Sequence, residues 1–388
     1  AGTAVAHRLV EAGAQSGDLA LVAGPTSFAM LAHFVGCARA GVVFAPVNAG
    51  LDAGTLAEIA ATVQPRLVLA SPDHELGLDE ARPLFPVDDP ALEDPPRDRP
   101  LPSVQPDDPH IVFLTSGSTG APKAALLSHR TSVLRSHPGS QLEPRGPALC
   151  PYPLFHMAGW TISMQQWHAR APVVFVDGTD ADTLTAALRR HRIERFNAIP
   201  ALWSRLADAA IEPLEHLRFA DTGTSPTSVE LLEAITGLAP NAQVRVFYGS
   251  TEAGNVASLH HDDLLTKPGR CGVPSVLTTV DVSPEGELLV AGPLLFEGYL
   301  GNPEATAAST TDDGFCRSGD VGIRDADGRL RIVDRVKDMI ISGGENVYCA
   351  EVERVLLEHP DIADAAAVGV PDPTWGERVT AIVVARDR

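Results

Sequence analysis

Short unbroken apolar runs alternate with segments of helical character along the first part of the chain. Leu19–Ala23 is a run of the kind that forms a strand buried on both faces. Ser27–Arg39 then reads as a helix with Thr26 or Ser27 near its cap, and Val42–Pro46 as the next strand. Thr55–Val63 looks helical and Arg66–Ala70 extended. A segment rich in Pro and Asp, residues 83–109, reads as a surface connection. It leads to Ile111–Leu114, a short strand that runs into a Gly/Ser/Thr loop.

The alternation resumes with Ala181–His191 and Ala201–Ala210 as helices around an extended Arg195–Ile199. Leu217–Ala220 and Val244–Tyr248 follow as strands, with Ser228–Thr236 helical between them. This order predicts an α/β fold of parallel sheets wrapped by helices. Beyond Val280 the pattern changes to short antiparallel strands, such as Gly286–Ala291 and Arg329–Val333, with Asp325–Gly328 as a hairpin turn.

A length of 388 residues suits one large domain and a smaller one. The net charge of −20 disfavours nucleic acid and anionic lipid as partners. Leu19 to Ala38 carries no formal charge, His33 aside, yet Gly24-Pro25-Thr26-Ser27 interrupts it, so strand, turn and helix explain it better than a membrane span. No signal-peptide pattern opens the chain. The five cysteines (Cys37, Cys150, Cys271, Cys316 and Cys349) have no metal-ligand spacing and read as reduced thiols of a cytoplasmic protein. Only three lysines occur among the 30 Lys and Arg residues: Lys123, Lys267 and Lys337. A retained lysine can mark a place that needs a compact ammonium, although base composition alone would also deplete lysine.

Lys123 closes the strongest local motif, Thr115-Ser116-Gly117-Ser118-Thr119-Gly120-Ala121-Pro122-Lys123. Gly117 and Gly120 permit tight turns that present backbone N–H groups, and the hydroxyls and the ammonium complete a wrap for a polyphosphate. The spacing is not that of a Walker A loop. Tyr248-Gly249-Ser250-Thr251-Glu252 follows a strand, where a carboxylate beside hydroxyls can hold Mg2+ and a phosphate; alone, Glu252 reads better as a solvated loop residue. Ser318-Gly319-Asp320 offers a carboxylate for ribose hydroxyls, and Arg335 of Asp334-Arg335-Val336-Lys337-Asp338 a fork for phosphate or ribose oxygens. Taken singly, each is more often a surface salt-bridge residue. Ser342-Gly343-Gly344-Glu345-Asn346-Val347-Tyr348 places paired glycines before a helix that starts near Ala350.

In this order the four motifs resemble the adenylate-forming superfamily of acyl-CoA synthetases, peptide-synthetase adenylation domains and luciferases, from roughly residue 20 onward. Met339–Tyr348 looks most like the fatty- and aryl-acyl-CoA synthetase branch. The resemblance implies a large N-terminal domain, residues 1–336, of parallel and mixed sheets wrapped by helices plus a small barrel-like part. A small mobile α+β C-terminal domain, 337–388, would follow, incomplete here.

The resemblance also implies roles. The Thr115–Lys123 loop would hold the β- and γ-phosphates of ATP, Thr251 the α-phosphate, and Glu252 the Mg2+. Asp320, with Arg335, would bind the ribose, and Gly223, Thr224 and Ser225 would line the acyl group and adenine. His156 would stand near the acyl pocket, although alone it reads better as a structural histidine. Lys337 would be the hinge, and Gly343, Gly344 and Glu345 would shape the thioester-forming site. The family also supplies an adenylation lysine from a segment several tens of residues further on, and none of the three lysines here matches it. Pro274 to Glu285 is short for the family, and Ala124 replaces its usual glycine.

The implied reaction joins a carboxylic acid and ATP into an acyl-adenylate, which CoA captures. A ligase or adenylation domain that feeds a carrier protein, and a catalytically impaired nucleotide binder, are the alternatives. The apolar stretches Phe155–Gln166 and Ala198–Arg205, with Trp160 and Trp203, favour a fatty or aromatic acid if they line the pocket, and a plain core role is equally consistent with them. Oligomeric state carries no visible signal, and a homodimer stays open.

Overall fold

The computed structural model describes residues 1–71, 82–83, 100–116, 122–142, 145–267, 269–343 and 345–386. Two seven-stranded sheets dominate. In the first, Gly298–Tyr299, Pro122–Ser128, Pro109–Ser116, Val43–Val47, Leu19–Ala23, Leu67–Ala70 and Arg82–Pro83 lie side by side. The four strands around Leu19–Ala23 are parallel, and the edge that includes Pro122–Ser128 is antiparallel. In the second, Phe219–Gly223 lies parallel between Arg195–Asn197 and Gln243–Ser250. Gly254–Leu259 and Val273–Pro274 add an antiparallel edge.

Helices start where capping residues allow. Ser27, Asp52, Asp180 and Ser228 each accept a hydrogen bond from the backbone N–H three residues on. Gly41 ends the helix Phe28–Ala40 in the left-handed conformation. Between the helices and the first sheet, Trp160 stacks on Phe34 at 4.2 Å and meets Phe44 edge-on. Among the described residues no helix is long and apolar enough to cross a membrane.

The small barrel-like part expected from the sequence is a four-stranded antiparallel sheet, in the order Thr279–Val282, Glu287–Ala291, Cys316–Arg324 and Leu330–Arg335. Its last hairpin turns at Asp325–Gly328, where Asp325 Oδ1 accepts from Asp327 and Arg329 N–H. A fourth sheet holds Glu345–Val347, Ile340–Ser342, Gly376–Ala385 and Ile362–Asp372, with the helix Cys349–Leu357 against it.

Arg135, on the helix His129–Leu142, ties these layers together. Its guanidinium is buried and donates to the main-chain carbonyls of Thr251 (2.8 Å), Glu252 (2.9 Å) and Leu294 (2.6 and 2.8 Å). Burial pushes its pKa down to about 10, against the favourable charge of Glu252, so it stays cationic near neutrality. Beside the same helix His110 is buried, its Nδ1 2.8 Å from Ser132 Oγ and its ring stacked on His129 at 4.2 Å. Burial, and then the charge of His129, bring its pKa down to about 3.

Two outcomes follow from these buried groups. Arg135→Met strands the carbonyls it serves and is expected to cost about 3 kcal/mol or more, read as a lowered denaturant midpoint; an unchanged midpoint would contradict the assigned role. The unfolded His110 takes up a proton below about pH 6.5, whereas the folded one does so only near pH 3. Stability therefore falls as pH drops through this window, by at most about 1.4 kcal/mol per pH unit for this residue. His110→Gln should flatten that slope in pH-dependent denaturation.

Candidate functional site

The phosphate-loop motif begins and ends on the adjacent antiparallel strands Pro109–Ser116 and Pro122–Ser128, with Thr115 directly opposite Lys123. Gly117, Ser118, Thr119 and Gly120 lie outside the described residues, as does the side chain of Ser116. The short strand Gly298–Tyr299 pairs with the outgoing arm, Tyr299 opposite Ala125. Residues 123 and 125 share a face, so the Tyr299 ring reaches Lys123 diagonally, and Nζ sits 5.0 Å from the ring centroid. Tyr299 Oη donates to Glu252 Oε1 at 2.8 Å. Burial, then the neighbouring Glu252, raises the Tyr299 pKa, which keeps the hydroxyl a donor.

Tyr248–Glu252 leaves the end of its strand through a bulge between Tyr248 and Gly249. A Cβ at Gly249 would stand 2.0 Å from Gly254 O, so only glycine fits. Ser250 Oγ accepts from Ala253 N–H at 3.0 Å and shapes the turn. Tyr248 Oη donates to Asp320 Oδ2 at 2.5 Å. Arg335 Nε pairs with Asp320 Oδ1 at 2.8 Å, because residues 320 and 335 face each other across the antiparallel pair. Burial raises the Asp320 pKa, opposed by Tyr248 and Arg335. Asp320 is buried and Arg335 exposed.

Beside this strand end, Gly223 has φ 154°, and a Cβ there would stand 2.1 Å from Phe247 O. Thr224 follows at φ 69°, a strained conformation for a β-branched residue that costs about 1–3 kcal/mol. Thr224 and Ser225 are exposed. His156 caps the helix Met157–His168, its Nδ1 accepting from Ala158 N–H at 3.2 Å. Its ring is exposed and stacks at 6.0 Å on Tyr152, which donates to Asn197 Oδ1. Surrounding protein lowers the His156 pKa by desolvation.

For Trp160 and Trp203 the structure selects the core role of the two that the sequence leaves open. Both are fully buried core residues, their indoles donating to Leu154 O and Asp221 O. Their apolar stretches bury large rings between helix and sheet. Lys267 proves an ordinary surface lysine, paired with Asp327.

Lys337 lies in the 3-10 turn Val336–Asp338. Gly343 sits at φ 63° in the tight turn between Ile340–Ser342 and Glu345–Val347; Gly344 lies outside the described residues. Gly343 N–H donates to Trp375 O at 2.8 Å, and a Cβ there would meet the Trp375 ring. The turn's described contacts thus stay within the C-terminal sheet, and Glu345 is exposed. Across Lys337, Asp334 Oδ2 accepts from Ala350 N–H at 3.2 Å.

Sequence reasoning missed Tyr299 and Arg135. Tyr299 is one of only four tyrosines and follows a glycine, a faint signal; Arg135 is one arginine among many. Among the described residues no group of three or more His, Cys, Asp or Glu side chains could hold a metal. Glu252 with neighbouring hydroxyls is a hard-oxygen donor set of the kind that takes Mg2+ together with substrate phosphates rather than alone.

The family model described as AMP-binding enzyme matches residues 3–300, and that of the AMP-binding enzyme C-terminal domain matches residues 351–388. A feruloyl-CoA synthase from an Amycolatopsis species is 34% identical, over 99% of this chain and 82% of that protein. A long-chain-fatty-acid–CoA ligase of Mycobacterium tuberculosis is 30% identical, over 97% and 80%. The fold matches o-succinylbenzoate CoA synthetase of Bacillus subtilis, solved with its acyl-adenylate intermediate, at a TM-score of 0.89 and 24% identity over 100% of this chain and 82% of that one. The chain belongs to the AMP-binding enzyme family and is an ATP-dependent acid–thiol ligase of the adenylate-forming superfamily.

Proposed function

We propose that this ligase activates an aromatic carboxylic acid and transfers it to CoA. The observation that carries the site reading is the reach of Tyr248–Glu252, which touches the Asp320–Arg335 pair at one end and the Tyr299–Lys123 pair at the other. A nucleotide spanning the two has its ribose at Asp320 and Arg335 and its phosphates at the Thr115–Lys123 loop. Asp320 accepts the ribose hydroxyls, and Lys123, Thr115 and backbone N–H groups hold the β- and γ-phosphates. Thr251 meets the α-phosphate. Glu252 would hold Mg2+, which when bound offsets charge on the departing pyrophosphate. Gly223, Thr224 and Ser225, with His156, line the acyl and adenine end.

A substrate carboxylate oxygen attacks the α-phosphorus, and the bond to the bridging oxygen of the β-phosphate breaks. Pyrophosphate leaves, and the cationic and N–H donors stabilise the charge it carries. The CoA sulfur then attacks the acyl carbon, AMP leaves, and the thiol proton passes to solvent. The large domain covers residues 1–336, and residues 337–388 turn about Lys337 to bring Gly343, Gly344 and Glu345 to the thioester step.

The aromatic assignment is supported by the stacked Tyr152–His156 pair and by the similarity to feruloyl-CoA synthase. ATP–pyrophosphate exchange should respond to ferulate, 4-coumarate and benzoate more strongly than to palmitate or acetate. Exchange with palmitate alone would overturn the aromatic assignment, and silence with every acid would overturn the activity.

Asp320→Asn should weaken ATP binding about 10- to 100-fold, the value of a hydrogen bond to a charged acceptor. The ionised carboxylate is the acceptor, and burial raises its pKa. Nucleotide affinity should therefore decline on acidification at a pH above that where an ordinary aspartate protonates. The Asn variant should lose that part of the profile in calorimetric titrations.

A further inference from the structure

We propose that Tyr299 is a positioning residue that fixes the Glu252 carboxylate relative to Lys123, so that metal and ammonium are held in one geometry. The inference rests on the roles proposed above for Glu252 and Lys123. Three contacts converge on this side chain. Its hydroxyl donates to Glu252 Oε1 at 2.8 Å, its ring centroid lies 5.0 Å from Lys123 Nζ, and it packs T-shaped with Phe296 at a centroid separation of 4.9 Å. A side chain that only filled space beside Phe296 would need no hydroxyl, and that hydroxyl spends its one donor on a carboxylate. The bond occupies one carboxylate oxygen and sets the torsion of the group, which aims the other oxygen. Outer-shell donors act on metal-binding carboxylates in this way.

The backbone around Tyr299 is built to hold this position. Tyr299 N–H donates to Thr306 Oγ1 at 2.8 Å, and Leu300 N–H donates to Ala124 O at 2.8 Å. Gly298 sits at φ 125°, where a Cβ would press within 2.8 Å of the Thr306 side chain. Glu252 is fixed from its other side, because its carbonyl accepts from Phe296 N–H (2.8 Å) and Arg135 (2.9 Å). The carboxylate and its donor therefore hang from two backbones that are themselves tied together. Any shift of the loop strand that carries Lys123 moves the ring, and with it the hydroxyl that orients Glu252.

The test uses the full chain with a non-hydrolysable ATP analogue and Mn2+ as a paramagnetic probe, read by electron paramagnetic resonance. Tyr299→Phe keeps the ring under Lys123 and removes only the hydroxyl. It should weaken Mn2+ binding to the protein–nucleotide complex by about 10- to 100-fold while metal-free nucleotide binding stays as in the parent. Tyr299→Leu removes the ring as well and should also weaken metal-free nucleotide binding. Circular dichroism and the thermal midpoint confirm that both variants fold. Equal Mn2+ affinity in the parent and in Tyr299→Phe overturns the proposal and leaves the site reading intact. A parent protein that binds the analogue but recruits no Mn2+ overturns the role of Glu252 and this proposal with it.

Discussion

A guanidinium buried among main-chain carbonyls is the constraint on which the site depends. Arg135 grips Thr251 O and Glu252 O from one side and Leu294 O from the other. Glu252 O also accepts from Phe296 N–H, but Arg135 supplies the side-chain donor to all three carbonyls, and a cation so placed is stable only because the carbonyls surround it. The mutual need fixes the segment at its Glu252 end, while its Tyr248 end is fixed through Asp320. Between them, Gly249 lets the backbone pass 2.0 Å from where a side chain would begin. The two halves of the site thus share one short stretch of rigid main chain.

The chemistry was more legible in the sequence than the geometry was. Local motifs carry their own signal: glycine beside hydroxyl beside charge at the end of a strand. Asp320 and Arg335, read from the sequence as one ribose-binding pair, are joined by an ion pair, and Tyr248 meets the same carboxylate. Helices with side-chain caps, such as those after Ser27, Asp52, Asp180 and Ser228, could be read to within two residues at their starts. The helices His129–Leu142 and Met157–His168 lack a clear polar–apolar periodicity, and their positions had no such marker. Lys123 lies over the Tyr299 ring while Lys267 is an ordinary surface ion-pair partner, so scarcity alone does not select a site.

Contacts across long stretches of sequence were not legible. Glu252 meets Tyr299 across 47 residues of sequence, and Arg135 meets Thr251 and Leu294 across 116 and 159. No local pattern encodes such meetings. The same limit explains Trp160 and Trp203: an aromatic in an apolar stretch looks the same whether it will face a ligand or a core, and only the packing partner decides.

The hydrogen bond from Ala350 N–H to Asp334 spans the turn that contains Lys337. If residues 337–388 turn about Lys337 as proposed, this bond is a detent. The proposed swing would lift the amide off the carboxylate and give both groups to water. One charge-assisted hydrogen bond is worth about 1.5–3 kcal/mol, so this orientation is favoured by a margin that a bound molecule of ordinary affinity can overcome. Such a catch would hold one orientation until the next ligand releases it.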